Sequence, residues 1–178
     1  MLDLLKSRRS IRKFKDTPVE SDKIEKLVKA ALLAPSGRRI NPWEFIVVTD
    51  KNILEQLSKS REHGSAFLKN APLGIVVLAD ENKTDVWIED ASIASIIIQL
   101  TAKSMGLGSC WIQIRNRPHN ATEPAAENYI KKLLDIPDNY KVENMIAIGY
   151  PDEEKAPHTE DELQFEKVFS NKYNNPYK

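Results

Sequence analysis

An α+β fold built on a sheet of at least four strands is what this sequence predicts, and three observations carry that expectation. Four short apolar runs, at 43–49, 73–79, 110–114 and 142–148, have the length and residue types of strands. Stretches with helical spacing lie between them. No internal repeat, low-complexity segment or linker interrupts the alternation, so residues 1–178 are read as one domain. With 41% apolar and 29% charged residues, the chain has the composition of a globular domain with a sizeable core.

Taken in order, residues 1–7 read as a short helix. Pro18 and Ser21 announce a second helix, with Ser21 as N-cap and Asp22 and Glu25 in its first turn. Its residues Ile24, Leu27, Val28, Ala31 and Leu32 form one stripe. Pro35 ends it, and residues 35–42 hold too many turn formers for a helix or strand. Asp50 is placed to cap a helix at about 53–60, and a helical turn is expected at 66–69. The run at 73–79 is almost wholly apolar, which predicts a strand covered on both faces. The longest helix, 85–104, carries apolar residues around its circumference and small ones at Ala91, Ser92, Ala94 and Ser95. That pattern predicts a buried helix with Gly106 at its C-terminal cap. A helix at about 123–134 with Thr122 as cap precedes the fourth strand. Residues 152–178 are polar with scattered Leu163, Phe165, Val168, Phe169 and Tyr173, too sparse for a core, and are read either as a frayed tail or as an arm laid on another surface, which in an oligomer can be a partner's.

Charge narrows the function. The 26 basic and 26 acidic residues cancel, which argues against nucleic acid as the main partner. Within that neutral chain, six of the ten residues from Lys6 to Lys15 are cationic. A dense local plus of this kind points to a particular anion. Ser10 adds a donor inside the cluster, and Ile11 and Phe14 pin the segment to a core so that Arg12 is held. Fixed guanidinium forks suit phosphate. The plain alternative is a solvated surface turn. Residues 35–42 crowd Ser36, Arg38, Arg39 and Asn41 into a loop that serves either as a simple connection or as a binding element. Gly106 and Gly108 precede a strand and lack dinucleotide-binding spacing. Cys110, the one cysteine, has no basic residue beside it in sequence and is read as core. It excludes an internal disulfide and fits a reducing compartment. His63, His119 and His158 are dispersed, so no metal site is expected. The N-terminus lacks a secretory signal, and the apolar stretch 93–100 is too short to span a bilayer. The expected location is cytoplasmic. No acid, base or nucleophile stands out, so an enzyme built this way needs a cofactor to carry the chemistry.

The segment Arg8-Arg9-Ser10-Ile11-Arg12-Lys13-Phe14, then Ala34-Pro35-Ser36-Gly37 leading to Asn41-Pro42-Trp43-Glu44-Phe45, resembles the nitroreductase family of FMN enzymes. Gly106-Leu107-Gly108-Ser109-Cys110-Trp111 and Ile148-Gly149-Tyr150-Pro151 match later landmarks of that family in the same order. The resemblance runs from about residue 2 to residue 150. It implies a central mixed sheet of four to five strands surrounded by helices, in a homodimer with two FMN molecules at the interface and an extended C-terminal arm at 152–178 packing on the partner. It assigns Arg8, Arg9, Ser10 and Arg12 to the flavin phosphate and pyrimidine edge, with Arg12 beside N1 and O2. Pro35, Ser36, Gly37, Arg38 and Asn41 arrive from the second subunit, Trp111, Ile112 and Gln113 run along the flavin, and Lys155 completes the phosphate site. Lys6, Lys13 and Lys15 are left as solvated charge. Arg39, Asn41 and His158 stand where the family usually has Asn, Gln and a basic residue.

The implied activity is ping-pong transfer of hydride from NADH or NADPH through flavin N5 to a small-molecule acceptor, a nitroaromatic or quinone. That chemistry requires no side-chain base. A charge near N1 and O2 stabilises the reduced ring. The rival reading is a binding module without catalysis, for flavin or a nucleotide phosphate.

Overall fold

The computed structural model describes residues 1–120 and 125–177. Its elements are α1 (Leu2–Ser7), α2 (Ser21–Leu32), β1 (Trp43–Val48), α3 (Lys51–Ser58), β2 (Leu73–Asp80), α4 (Trp87–Ser104), β3 (Gly108–Gln113), α5 (Ala126–Leu133) and β4 (Tyr140–Gly149). The four strands make one sheet in the order β1-β2-β4-β3, and every neighbouring pair is antiparallel. The parallel component of the expected mixed sheet is confined to an isolated bridge between Ser10 and Ser109. Strand pairing between residues as far apart as Leu73 and Ile148 thus fixes the fold, while the helices fill the intervals.

Two apolar layers flank the sheet. On one face Leu54 and Leu57 of α3 and Ile130 of α5 pack with Val76, Val142 and Met145. On the other, Leu27 of α2 and Ala91, Ile98 and Ala102 of α4 pack with Ile75, Val77 and Ile146. The central strand β2 is buried from Leu73 to Ala79, as its unbroken apolar run requires.

Several local expectations need amendment. α2 begins at Ser21 with Glu20 in the cap position and no side-chain cap, since Tyr150 instead donates to the Glu20 carboxylate at 2.8 Å. Asp50 does cap α3, accepting from Asn52 and Ile53. Thr122 and Glu123 lie outside the described residues, and α5 is seen from Ala126. α4 is not buried all round. Ala91, Ala94, Ile98 and Ala102 are sealed, whereas Ile93 and Ile96 are 39% and 38% exposed.

The glycines near the sheet ends are there for space. A Cβ at Gly149 would lie 2.5 Å from Cδ of Pro72 and 3.0 Å from a ring carbon of Phe14. Neither ring can swing away, so Gly149→Ala is expected to destabilise the fold by about 2–3 kcal/mol. Urea denaturation reads this as a lower midpoint with an unchanged slope. Gly108 has the same logic, its missing Cβ leaving room for Ile11 at 2.8 Å.

Candidate functional site

The basic stretch is threaded between two anchors. Ile11 N–H donates to the Ser109 carbonyl at 3.0 Å and Lys15 N–H to that of Tyr150 at 2.9 Å. Phe14 bridges Pro151, and Ile11 and Phe14 are both buried. Pinning every third or fourth side chain into the core forces the charged residues between them outward. The chain leaving β4 then folds back along the same stretch. Asp152 N–H donates to Lys13, the Lys155 ammonium to the carbonyl of Ser10, and the Arg9 guanidinium to that of Ala156. The Glu153 carboxylate accepts the Arg12 N–H at 2.5 Å and that of Lys13 at 3.2 Å. These donors hold its pKa below the usual carboxylate range, so it is ionised and fixes the segment.

Between these two layers and the end of α4 lies a cavity of about 1050 Å³. Arg8, Arg9 and Lys155 line it, together with Ser109 and the Gly106–Gly108 turn. Two cations that the sequence did not assign join them, Lys15 and Lys103. Lys15 is therefore not merely surface charge, whereas Lys6 pairs with Glu160. Among the described residues no ion pair is made by Arg8, Lys15 or Lys103. Asp152, Glu153 and Glu154 line the cavity as well, with Glu153 held by the Arg12 and Lys13 N–H groups, so five cations outnumber three carboxylates and the wall favours an anion.

Beside the cavity runs β3, an edge strand. Its outer edge is clamped twice, at the Ser109 carbonyl by Ile11 and at the Gln113 carbonyl by the Arg61 guanidinium at 3.0 Å. In an antiparallel ladder, backbone groups alternate between partner and free side. If Ser109 and Gln113 face outward, so does Trp111 between them. A flat ligand laid there would meet backbone hydrogen-bonding groups between two fixed points. The side chain of Ile112 is buried in the opposite layer, so only its backbone is available. Trp111 Nε1 donates to Gln113 Oε1 at 2.9 Å, and Gln113 donates onward to the Arg115 carbonyl, holding both side chains.

Arg12 lies outside the cavity lining, its guanidinium 5.7 Å from the centre of the Phe67 ring. Ser10 thus separates Arg8 and Arg9, on the cavity wall, from Arg12, which lies beside Phe67. Cys110 sits behind them, 2% exposed. Contrary to the linear reading, it does have cationic neighbours. Burial pushes its thiol up, while the charges of Arg12, Lys155 and Arg8 and a hydrogen bond with Ser10 pull it down. The net rise keeps it a thiol rather than a nucleophile.

The loop at 35–42 is built elsewhere. Gly37 N–H donates to Asp90 Oδ1 at 2.9 Å, and a Cβ on Gly37 would lie 2.9 Å from Val86. Ser36 Oγ donates to Asn41 Oδ1 at 2.6 Å and accepts the Asn41 N–H. Arg38, Arg39 and Asn41 all adopt left-handed backbone, at φ 52°, 57° and 51°. Such a conformation costs about 1–2 kcal/mol per residue outside glycine, so the clamp on α4 is what holds it. Arg38 and Arg39 project into solvent. None of Pro35, Ser36, Gly37, Arg38 and Asn41 lines the cavity of the same chain. Asp90 and Lys103 lie thirteen residues apart on α4, which at about 1.5 Å per residue separates loop and cavity wall by about 20 Å along the helix.

Behind the sheet, β4 carries a bulge. Val77 pairs with Asn144 and Leu78 with Val142, leaving Glu143 as the extra residue. The bulge turns Glu143 and Asn144 both toward α4. There Ser95 receives Asn144 at 2.8 Å, and burial raises the Glu143 pKa from its ordinary 4.5 despite nearby Arg115. The folded protein therefore keeps this proton to higher pH than the unfolded chain does. Stability contributed by the neutral acid is fully present at low pH and declines as pH rises through the window between the two pKa values. Glu143→Gln is expected to abolish that decline, so its melting temperature should exceed that of the wild type by a margin growing from pH 4 to pH 8. Equal margins at both pH values would contradict it.

Comparison with known proteins now decides the family. The model of the nitroreductase family matches residues 5–61 and 59–150. The chain belongs to the nitroreductase family. A solved FMN-dependent nitroreductase of Clostridium difficile R20291 superposes with a TM-score of 0.95 at 53% identity, covering 97% of this chain and 100% of that one. A protein of Archaeoglobus fulgidus, provisionally named an NADH dehydrogenase/NAD(P)H nitroreductase, is 37% identical over 86% of this chain and 87% of its own. An NADPH:FMN oxidoreductase of Vibrio harveyi, solved with NAD+, shares the fold at 21% identity and a TM-score of 0.80, covering 98% of this chain and 78% of that one.

Proposed function

We propose that this nitroreductase-family chain is a homodimeric FMN-dependent oxidoreductase that uses NADH or NADPH to reduce nitroaromatic, quinone or similar small acceptors. The observation that carries the reading is the convergence of Arg8, Arg9 and Lys155 on one cavity, flanked by the open edge of β3 at Trp111. Phosphate and planar ring of FMN ask for that pair of features, and the 53% identical FMN-dependent nitroreductase supports it. FMN held there would supply the hydride-transfer chemistry, for which the chain offers no acid, base or nucleophile of its own.

The chain's own residues do the rest. Arg8, Arg9 and Lys155 hold the phosphate, Ser10 supplies a further hydrogen bond, and Trp111, Ile112 and Gln113 present backbone to the ring. Arg12, beyond Ser10 in the chain, supplies the charge that favours reduced flavin. Pro35, Ser36, Gly37, Arg38 and Asn41 serve the partner's site, which is why they are absent from the cavity wall in their own chain. The apolar residues of the arm, with Phe165 at 40% and Tyr173 at 81% exposure, are covered by the partner. Among the described residues no helix is long and apolar enough to cross a membrane.

The test is direct. Purified protein incubated with FMN and desalted should be yellow, and should oxidise NADH or NADPH when a quinone is added. Colourless protein would overturn the flavin reading. Coloured protein without turnover would leave a flavin carrier instead.

A further inference from the structure

The far end of the β3 edge carries an arginine that belongs neither to the phosphate wall nor to the charge assigned to the ring. Arg61 Nη1 donates to the Gln113 carbonyl at 3.0 Å, which leaves most of the guanidinium N–H donors without an acceptor among the described residues. The loop around this side chain is built to hold it there. Arg61 N–H donates to Ser65 Oγ at 3.2 Å, and the buried Ser65 hydroxyl donates to the Ser58 carbonyl at 2.7 Å. Between them Gly64 takes φ 91°, and a Cβ there would meet Arg61 Nη1 at 3.4 Å. Glu62 N–H donates to the His119 carbonyl at 3.0 Å and ties the loop to the chain that leaves β3. On that chain sits exposed Arg117, its N–H bound to the Ile114 carbonyl at 3.0 Å. Burial and the nearby charge of Arg117 both pull the Arg61 pKa below its ordinary value. Among the described residues neither arginine makes an ion pair.

We propose that Arg61 and Arg117 form an anion subsite for the electron acceptor, and that the acceptors taken best are flat aromatic or quinonoid compounds bearing a carboxylate. This rests on the flavoenzyme reading above and names its substrate class. The platform offered by β3 at Trp111 ends at the Gln113 carbonyl, where Arg61 stands. An acceptor stacked over that platform brings a carboxylate at its rim to the guanidinium. A neutral ring carbonyl could accept from Arg61 but would leave the two like charges unbalanced. A carboxylate matches the guanidinium fork and offsets the charge as well. The phosphate of the cofactor is served separately, by Arg8, Arg9 and Lys155 at the Ser109 end of the strand.

Two nitro compounds of nearly one shape separate charge from fit, 4-nitrobenzoate and its uncharged methyl ester. FMN-loaded wild type with saturating NADH or NADPH should prefer the acid by about 10–30-fold in kcat/KM, chiefly through KM. Arg61→Ala should reduce that preference to about 1–3-fold and Arg117→Ala to about 3–10-fold. Arg61→Lys, which keeps the charge without the fork, should fall between Arg61→Ala and wild type. Arg117 is exposed and clear of the core, so its variant keeps the test open if Arg61→Ala does not fold. Calorimetric titration of 4-nitrobenzoate without NADH or NADPH should rank binding in the same order. Wild type that reduces acid and ester equally well overturns the subsite and leaves the enzyme reading intact. So does an Arg61→Ala chain that loses acid and ester in equal measure or releases FMN, because the arginine then holds the fold or the ring. Protein that takes up no FMN removes the flavoenzyme reading, and calorimetry still decides the subsite. Binding of 4-nitrobenzoate that Arg61→Ala abolishes keeps it, and no binding removes it.

Discussion

Arg8→Ala combined with Lys155→Ala is expected to weaken FMN binding by about 10²–10⁴-fold while leaving the circular dichroism and melting temperature near those of the wild type. Charge-assisted hydrogen bonds contribute about 1.5–3 kcal/mol each, and about 1.4 kcal/mol is tenfold in affinity. Neither side chain belongs to the core. Arg8 lines the cavity without an ion pair among the described residues, and Lys155 binds the Ser10 carbonyl and lies 3.6 Å from Glu153. Lys155→Ala alone should weaken binding less than Arg8→Ala, because Glu153 keeps the segment in place through the Arg12 and Lys13 N–H groups. Flavin fluorescence titration gives both constants. Riboflavin, which lacks the phosphate, should bind wild type and double variant alike. A riboflavin loss as large as the FMN loss would mean that the pair shapes the ring pocket rather than the phosphate site.

Much of this was legible in the chain before its fold was known, for reasons that differ by element. Strands of strong apolar character, such as 73–79, announce themselves because burial on both faces leaves no place for polar residues. The pinning of the basic stretch was readable too, since Ile11 and Phe14 interrupt a run of charge and have nowhere to go but the core. Lys103 was not readable. It is one lysine at the end of a helix, and only the return of the chain past Tyr150 makes it a cavity wall. Asp90 was equally silent, for its role depends on a backbone N–H at Gly37, fifty-three residues away. The Glu143 bulge shows the same limit, as its register shift exists only once β4 is paired with β2. The split of Arg8 from Arg12 depends on the Ser10 bridge to Ser109. Local sequence carried residue type and period, whereas long-range pairing decided which charges share a wall.

Mixed dimers should separate the two halves of the site. Asp90→Ala removes the acceptor of the Gly37 N–H, at a cost of about 1.5–3 kcal/mol to that contact. Global stability should change little, because Asp90 Oδ2 is buried without a partner and its removal relieves that penalty. The loss falls on the loop, whose left-handed residues Arg38, Arg39 and Asn41 relax once the clamp is gone. Flavin retention in the Asp90→Ala homodimer is expected to drop about tenfold, and Asp90→Asn, which keeps an acceptor, should restore most of it. Arg8→Ala damages the other half. When Arg8→Ala and Asp90→Ala chains share a dimer, one site carries both defects and the other neither, provided that loop and cavity come from different chains. Such dimers, isolated through two affinity tags, should therefore hold close to one FMN per dimer and about half the wild-type turnover, although both parent homodimers are poor. If loop and cavity of the same chain served one flavin, each site of the mixed dimer would carry one defect and no recovery would follow. Recovery to half is thus the signature of a site completed in trans, and its absence would return Pro35, Ser36, Gly37, Arg38 and Asn41 to a plain connection between α2 and β1.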